Sequence, residues 1–224
     1  MLEPVALPKS RLEAVTDGIF AVTMTLLVLD LRLPSNLAEA ELWRALLAQA
    51  TAIDDYVISF VVLCVFWIAH LRLLRRIESI DTLFTAVNLA FLLFTTFVPI
   101  LTTFAGHNPG RVTPAVLYGV NLIAILATEM IMWRHALPEL VDSSVTDAEA
   151  AWRLVRHKLL IAMAVVLVGM ALAILEIRQG FKAGFASYTY LLLVVVGVVH
   201  PAMPGRRRFA KSRIQATAVS ASRE

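Results

Sequence analysis

Charge and cysteine are both scarce in this chain. Only 17% of its 224 residues are Asp, Glu, Lys or Arg, whereas soluble domains carry roughly 25%. The single cysteine, Cys64, excludes any disulfide within one chain, and no CxxC pair exists. Cys64 lies inside an apolar run and reads as a small buried hydrophobe. A Gly-rich phosphate loop, GxSxG, HExxH and a Ser-His-Asp set in workable context are all missing, so enzymatic chemistry is not expected. No His, Cys and carboxylate residues stand at metal-ligand spacing, so neither a metal nor a cofactor is expected.

Apolar residues, by contrast, make up 59% of the chain, and mean hydropathy is +0.76. The apolar runs are continuous and about 20 residues long, which points to spanning helices and not to alternating barrel strands. Backbone groups in a bilayer must pair within the protein, and helices do this on their own. The expected fold is an all-α, multi-pass membrane protein. Its six spans lie near 15–33, 56–74, 82–104, 113–133, 159–175 and 184–203. The first span is expected to stay as an uncleaved anchor, because no clear small-x-small cleavage site follows the leader.

Orientation follows from the basic residues. With a cytoplasmic N-terminus and six spans, fifteen of the twenty Lys and Arg fall on the cytoplasmic side. That bias favours both termini inside. It also accounts for the basic excess, so nucleic acid is not an expected partner. Residues 1–204 are read as the transmembrane domain and 205–224 as a basic cytoplasmic tail. The tail's Gly-Arg-Arg-Arg-Phe-Ala-Lys run is either a topology anchor or a site for anionic headgroups. The first inter-span loop, around 34–55, places Leu37, Leu42, Trp43, Leu46 and Leu47 at helical spacing, as in a surface helix or a cap over the bundle. The polar stretch 138–156 reads as a cytoplasmic loop.

The first span carries the most information. It reads Arg-Leu-Glu-Ala-Val-Thr-Asp-Gly-Ile-Phe-Ala-Val-Thr-Met-Thr-Leu-Leu-Val-Leu-Asp from Arg11 to Asp30. Ser10 and Glu13 have the spacing of a capping box, which favours a cap over a functional acid for Glu13. At about 100° per residue, Val15, Gly18, Val22, Thr25 and Leu29 share one stripe, flanked by Leu26. Asp17 falls on the opposite side, which suits a buried strut better than a ligand for something central. The stripe is consistent either with ordinary helix packing or with a pore closed by hydrophobic rings.

Ionisable and polar groups in other spans need partners. His70 on the second span lies at the depth of Thr16 and Asp17, and Asn88 on the third starts from the same side. Arg11, Asp17, His70 and Asn88 are therefore candidates for one polar cluster. Trp67 reads as an interfacial anchor, and Glu129 as an interfacial partner for Arg134. Pro99 frees a carbonyl on the third span. Asp30 either marks an outer mouth that draws cations or pairs with Arg32 or Arg44.

The run from Arg11 to Asp30 resembles the first helix of the transmembrane protein 175 family of potassium channels, whose hallmark is Arg-x-x-x-Phe-Ser-Asp. Phe66-Trp67-Ile-Ala-His70, Asn88-Leu-Ala-Phe-Leu-Leu-Phe94 and Pro99 extend the likeness over the first half of the chain. Val15 and Thr16 stand where the family usually has Phe and Ser. The resemblance implies a six-helix subunit, a homotetramer, and four first helices around a cation path. By position it implies a constriction at Val22, Leu26 and Leu29 and a potassium-preferring hydroxyl layer at Thr25. It also implies a bracing role for Arg11, Val15, Thr16 and Asp17 against the next two helices. Passive potassium permeation in a cell membrane is the expected function. A proton-coupled transporter using Asp17 and His70, and a non-conducting structural protein, are the alternatives.

Overall fold

The computed structural model describes residues 8–31, 35, 38–77, 80–108, 111–140, 145–180 and 188–198. Its helices are α1 (Lys9–Leu26), α2 (Glu39–Ala48), α3 (Ala50–Leu74), α4 (Thr82–His107), α5 (Val112–Leu140), α6 (Val145–Arg178) and α7 (Leu192–Val198). Short 3-10 turns at Leu27–Asp30 and Thr189–Leu191 continue α1 and lead into α7. Five of the described helices are long and apolar enough to cross a membrane, and the chain is a multi-pass membrane protein of all-α class. The expected sixth span is described only over Tyr188–Val198, and the basic tail lies outside the described residues.

Local chemistry explains most of the boundaries. Helix α1 begins at Lys9, with Pro8 preceding it at φ −56° and no side-chain cap. The expected Ser10–Glu13 capping box therefore does not form. The Pro8 carbonyl starts the ladder by accepting from the Arg11 N–H at 2.9 Å. Lys9 donates to the Ile77 carbonyl at 2.7 Å and lies 3.6 Å from Glu13. Proline supplies a preset φ just ahead of a helix, and this displaces the serine.

The stretch read as a polar loop, 138–156, is mostly helix. Helix α5 runs to Leu140 and α6 starts at Val145. Ala148, Glu149, Ala150, Ala151 and Arg153 are strong helix formers, so polarity there does not break the helix. The amphipathic run between the first two spans is helical over Glu39–Ala48, in α2, and its Leu37 lies outside the described residues. Its Leu42 and Leu46 are half-buried while Trp43 and Leu47 are exposed.

Helix α4 packs on α1, α3 and α5, α5 also packs on α6, and α7 fills the gap between α3 and α6. Within a bilayer, close packing and interhelical hydrogen bonds supply the attraction. Small residues allow the tightest contacts. A Cβ at Gly169 would lie 2.9 Å from Tyr190 Cε1, and one at Gly197 would lie 2.6 Å from Val65 Cγ1.

Helix α4 has a true side-chain cap. Asp81 accepts from the Phe84 N–H at 2.7 Å, and its other oxygen lies 2.7 Å from His135 Nε2. The Phe84 hydrogen bond, and then His135, hold the Asp81 carboxyl below its usual range. A depressed carboxylate stabilises the fold above its unfolded pKa, and that contribution disappears as pH falls through the folded value. Asp81→Ala is expected to cost about 1 kcal/mol, seen as a lower midpoint of thermal unfolding at neutral pH. Asp81→Asn keeps the cap and should recover most of that loss. A midpoint unchanged in Asp81→Ala refutes the cap's contribution.

Candidate functional site

Helix α1 has two contrasting sides. Leu12, Thr16, Phe20 and Thr23 are buried against the bundle, and Leu27 continues that side. The stripe Val15, Gly18, Val22, Thr25, Leu26 and Leu29 is exposed along its whole length. Leu29 reaches 74% exposure. The uncovered stripe therefore coincides with the one that spacing alone marked out.

Of the five described spanning helices, α1 and α6 are the least covered, and they differ chemically. The α6 span is only 17% buried, and its exposed positions are mostly bulky aliphatics such as Leu160, Ile161, Leu167, Val168, Leu172 and Leu175. That is a surface suited to lipid tails. The exposed side of α1 instead includes Ala14, Gly18, Ala21 and the hydroxyl of Thr25. Thr25 Oγ1 donates to the Val22 carbonyl at 2.8 Å. Its proton is thereby committed to the helix, while the oxygen lone pairs remain available to an outside donor or cation.

Behind α1 the polar groups form two sets, not the single cluster expected. In the first set, Trp67 Nε1 donates to Asp17 Oδ1 at 2.8 Å, and Asn88 Nδ2 donates to Thr16 Oγ1 at 3.3 Å. Adjacent residues of α1 thus tie it to α3 and to α4. Asp17 is exposed in the single chain, so it is a strut but not a buried one. Trp67 is correspondingly a hydrogen-bond donor to α1 and not simply an interfacial anchor. Arg11 is also exposed and stands apart from both sets.

The second set centres on His70. Its Nδ1 lies 2.9 Å from Glu129 Oε2, and Glu129 Oε1 accepts from Trp133 Nε1 at 3.2 Å. His70 and Glu129 are both buried. His70 therefore pairs with α5 and not with Asp17 or Thr16, and Glu129 is an interior group and not an interfacial partner of Arg134. The His70 ring stacks on Phe91 at 4.5 Å, and Phe91 packs on Phe20 at 5.9 Å. A continuous chain of contacts thus links the α5 carboxylate to the back of α1. Sequence reasoning missed this role for Glu129. The available signal was a carboxylate eight residues inside the α5 span, too deep for an interface.

Other expected residues are placed as follows. Pro99 lies within an unbroken α4. Asn121 donates to the Phe94 carbonyl at 3.0 Å, joining α5 to α4. Cys64 is half-buried, not enclosed. Asp30 ends the turn after α1, and its side chain lies outside the described residues. Among the described residues, no group of three or more His, Cys, Asp or Glu is arranged to hold a metal.

Residues 11–99 match the family described as endosomal/lysosomal potassium channel TMEM175. A potassium channel of Streptomyces collinus is 30% identical over 129 residues, which are 56% of this chain and 63% of that protein. A potassium channel of Chamaesiphon minutus is 32% identical over 133 residues, or 56% and 64% of the two chains. The chain thus spans less than two thirds of these bacterial relatives. The endosomal/lysosomal proton channel TMEM175 of Danio rerio is 25% identical over 83% of this chain and 35% of its own length. Among solved structures, a lysosomal potassium-selective channel TMEM175 homologue from Chamaesiphon minutus superposes with a TM-score of 0.69. It is 24% identical, covering 85% of this chain and 96% of that one. The matching family is one of ion channels, not enzymes. Residues 11–99 are thus similar to the TMEM175 channels, and the fold of the chain is similar to that of their bacterial homologue.

Proposed function

We propose that this protein is a potassium-permeable channel of a cell membrane, formed by four copies with α1 of each around a central path. The observation that carries this reading is the uncovered stripe of α1, which is uncharged and includes a hydroxyl. Gly18 within it and Ala14 and Ala21 beside it permit close approach of another copy. The bundle has both termini in the cytoplasm, as the basic residues favour.

In this reading Val22, Leu26 and Leu29 form stacked hydrophobic rings. Such rings gate by narrowing and dewetting, with no backbone-carbonyl filter. Four Thr25 oxygens, each with its proton turned to its own helix, offer a ring of acceptors to a partly dehydrated cation. Asp17–Trp67, Thr16–Asn88 and the His70–Phe91–Phe20 stack hold the helix from behind. Arg11 stands at the cytoplasmic entrance, and Asp30 stands on the turn at the outer mouth, where a ring of carboxylates would concentrate cations.

Proton conduction is the second reading, supported by the vertebrate relatives named as proton channels. The stripe from Val15 to Leu29 has no titratable side chain to relay protons, which favours potassium. Reconstitution into planar bilayers with opposed potassium and proton gradients decides between them. Unitary currents reversing near the potassium equilibrium potential are expected. Reversal at the proton potential supports the second reading. Saturating coupled flux would identify a transporter. Silence, or a monomeric mass in detergent, removes the central-path model.

A further inference from the structure

We propose that the cleft between α3, α5, α6 and α7 holds one acyl chain of an acidic phospholipid, its phosphodiester held by Arg72 and Lys158. The cleft has a volume of about 90 Å³. The cleft is half-open, so a hydrocarbon chain can lie along its apolar wall without being enclosed. Val65, Leu126, Ala162 and Leu193 form its deep apolar wall.

The polar groups are all towards one end. Arg72 lies close to the end of α3, where Leu74 closes the helix, and Lys158 lies near the start of the α6 span. From Arg72 to Val65 the cleft extends roughly 10 Å along α3, at 1.5 Å per residue. Basic groups at the membrane surface with an apolar slot running inward match the two parts of a lipid molecule. A small soluble anion would leave the slot unfilled.

Charge selects the acidic class. Glu129 also lines the cleft, but its two oxygens already face His70 and Trp133. Arg72 donates to the Gly197 carbonyl at 2.6 Å, which uses one of five guanidinium donors. The lining thus keeps a net positive charge, and charge-assisted hydrogen bonds to phosphate are strong and directional. The amine of a zwitterionic lipid would be placed beside two cations. This site is separate from the basic tail and requires a bilayer, not conduction. A chain that labels as expected but passes no ions would leave it standing.

The test uses the full chain in vesicles of equal phosphatidylglycerol and phosphatidylcholine. A trace of phosphatidylglycerol bearing a diazirine in its acyl chain is added, followed by photolysis and peptide mapping. Adducts are expected at Val65–Ala69 and around Ala162. Unlabelled phosphatidylglycerol should compete at least about tenfold better than phosphatidylcholine, a ratio equal to about 1.4 kcal/mol. Ala69→Leu, which fills the slot, and Lys158→Gln, which weakens the head site, should each reduce those adducts several-fold. Adducts spread evenly over the outer faces of the helices overturn the proposal. So does equal competition by phosphatidylcholine, or labelling unchanged in both variants. Thermal unfolding of each variant confirms that it is folded before labelling is read.

Discussion

Glu129→Ala is expected to lower the stability of the protein in detergent by about 2–5 kcal/mol, because it leaves two buried ring nitrogens without a hydrogen-bond partner at once. His70 Nδ1 and Trp133 Nε1 both point to this carboxylate, at 2.9 and 3.2 Å. Neither ring has access to water, since His70 is 0% and Trp133 only 5% exposed. His70 Nε2 has no partner among the described residues, so losing Nδ1 would leave the imidazole without any. Glu129→Gln retains an acceptor oxygen and should cost less than half as much. The double variant His70→Phe with Glu129→Leu removes the polar groups together and should be more stable than Glu129→Ala, as for other buried pairs replaced by apolar groups. Thermal unfolding monitored by tryptophan fluorescence measures all three. A Glu129→Ala protein within about 0.5 kcal/mol of the parent, the range of ordinary surface substitutions, would show that the pair does not hold α3 to α5.

The second large effect concerns what passes α1. Thr25→Val replaces an acceptor oxygen with a methyl group of nearly the same shape. Potassium preference over sodium, read from the reversal potential in mixed ions, should fall on the order of tenfold, or about 1.4 kcal/mol. An unaltered reversal potential excludes Thr25 from the selective layer. Leu29→Ala should raise the basal leak on the order of tenfold, because smaller rings allow the narrow section to stay wet. Unchanged current would remove Leu29 from the path. Because both residues are exposed in the single chain, neither substitution should disturb its folding. Loss of stability in either case would point to packing against another subunit.

These two predictions differ in how far the sequence alone leads to them. Which residues share the stripe of α1 was legible from spacing, because helical periodicity is set by the local backbone and repeats every 3.6 residues, but spacing left open whether that stripe was packed or exposed. Its contrast with the buried side at Leu12, Thr16, Phe20 and Thr23 follows from the same geometry. The described spans were also legible, since a run of apolar residues long enough to cross a bilayer has few other uses. The Ser10 cap failed for a local reason, the proline two residues earlier. The helical ends near 140 and 145 were missed because polarity was weighed above helix propensity.

The pairing of the polar groups was not legible. Thr16, Asp17, His70, Asn88 and Glu129 all needed partners, but depth and spacing left several combinations open. His70 and Glu129 are 59 positions apart, and Trp67 and Asp17 are 50 apart. A sequence reports which residues share one face of one helix, but not how that face is rotated toward the next helix. Rotation is decided when ridges, glycines and aromatic rings interlock, as where Gly197 meets Val65 and Phe91 fits between Phe20 and His70. The sequence by itself determined that α1 has an uncharged stripe and that the chain crosses a membrane. Only the tertiary structure decided that His70 turns to Glu129 and that Trp67 takes Asp17, because those choices depend on packing between distant segments.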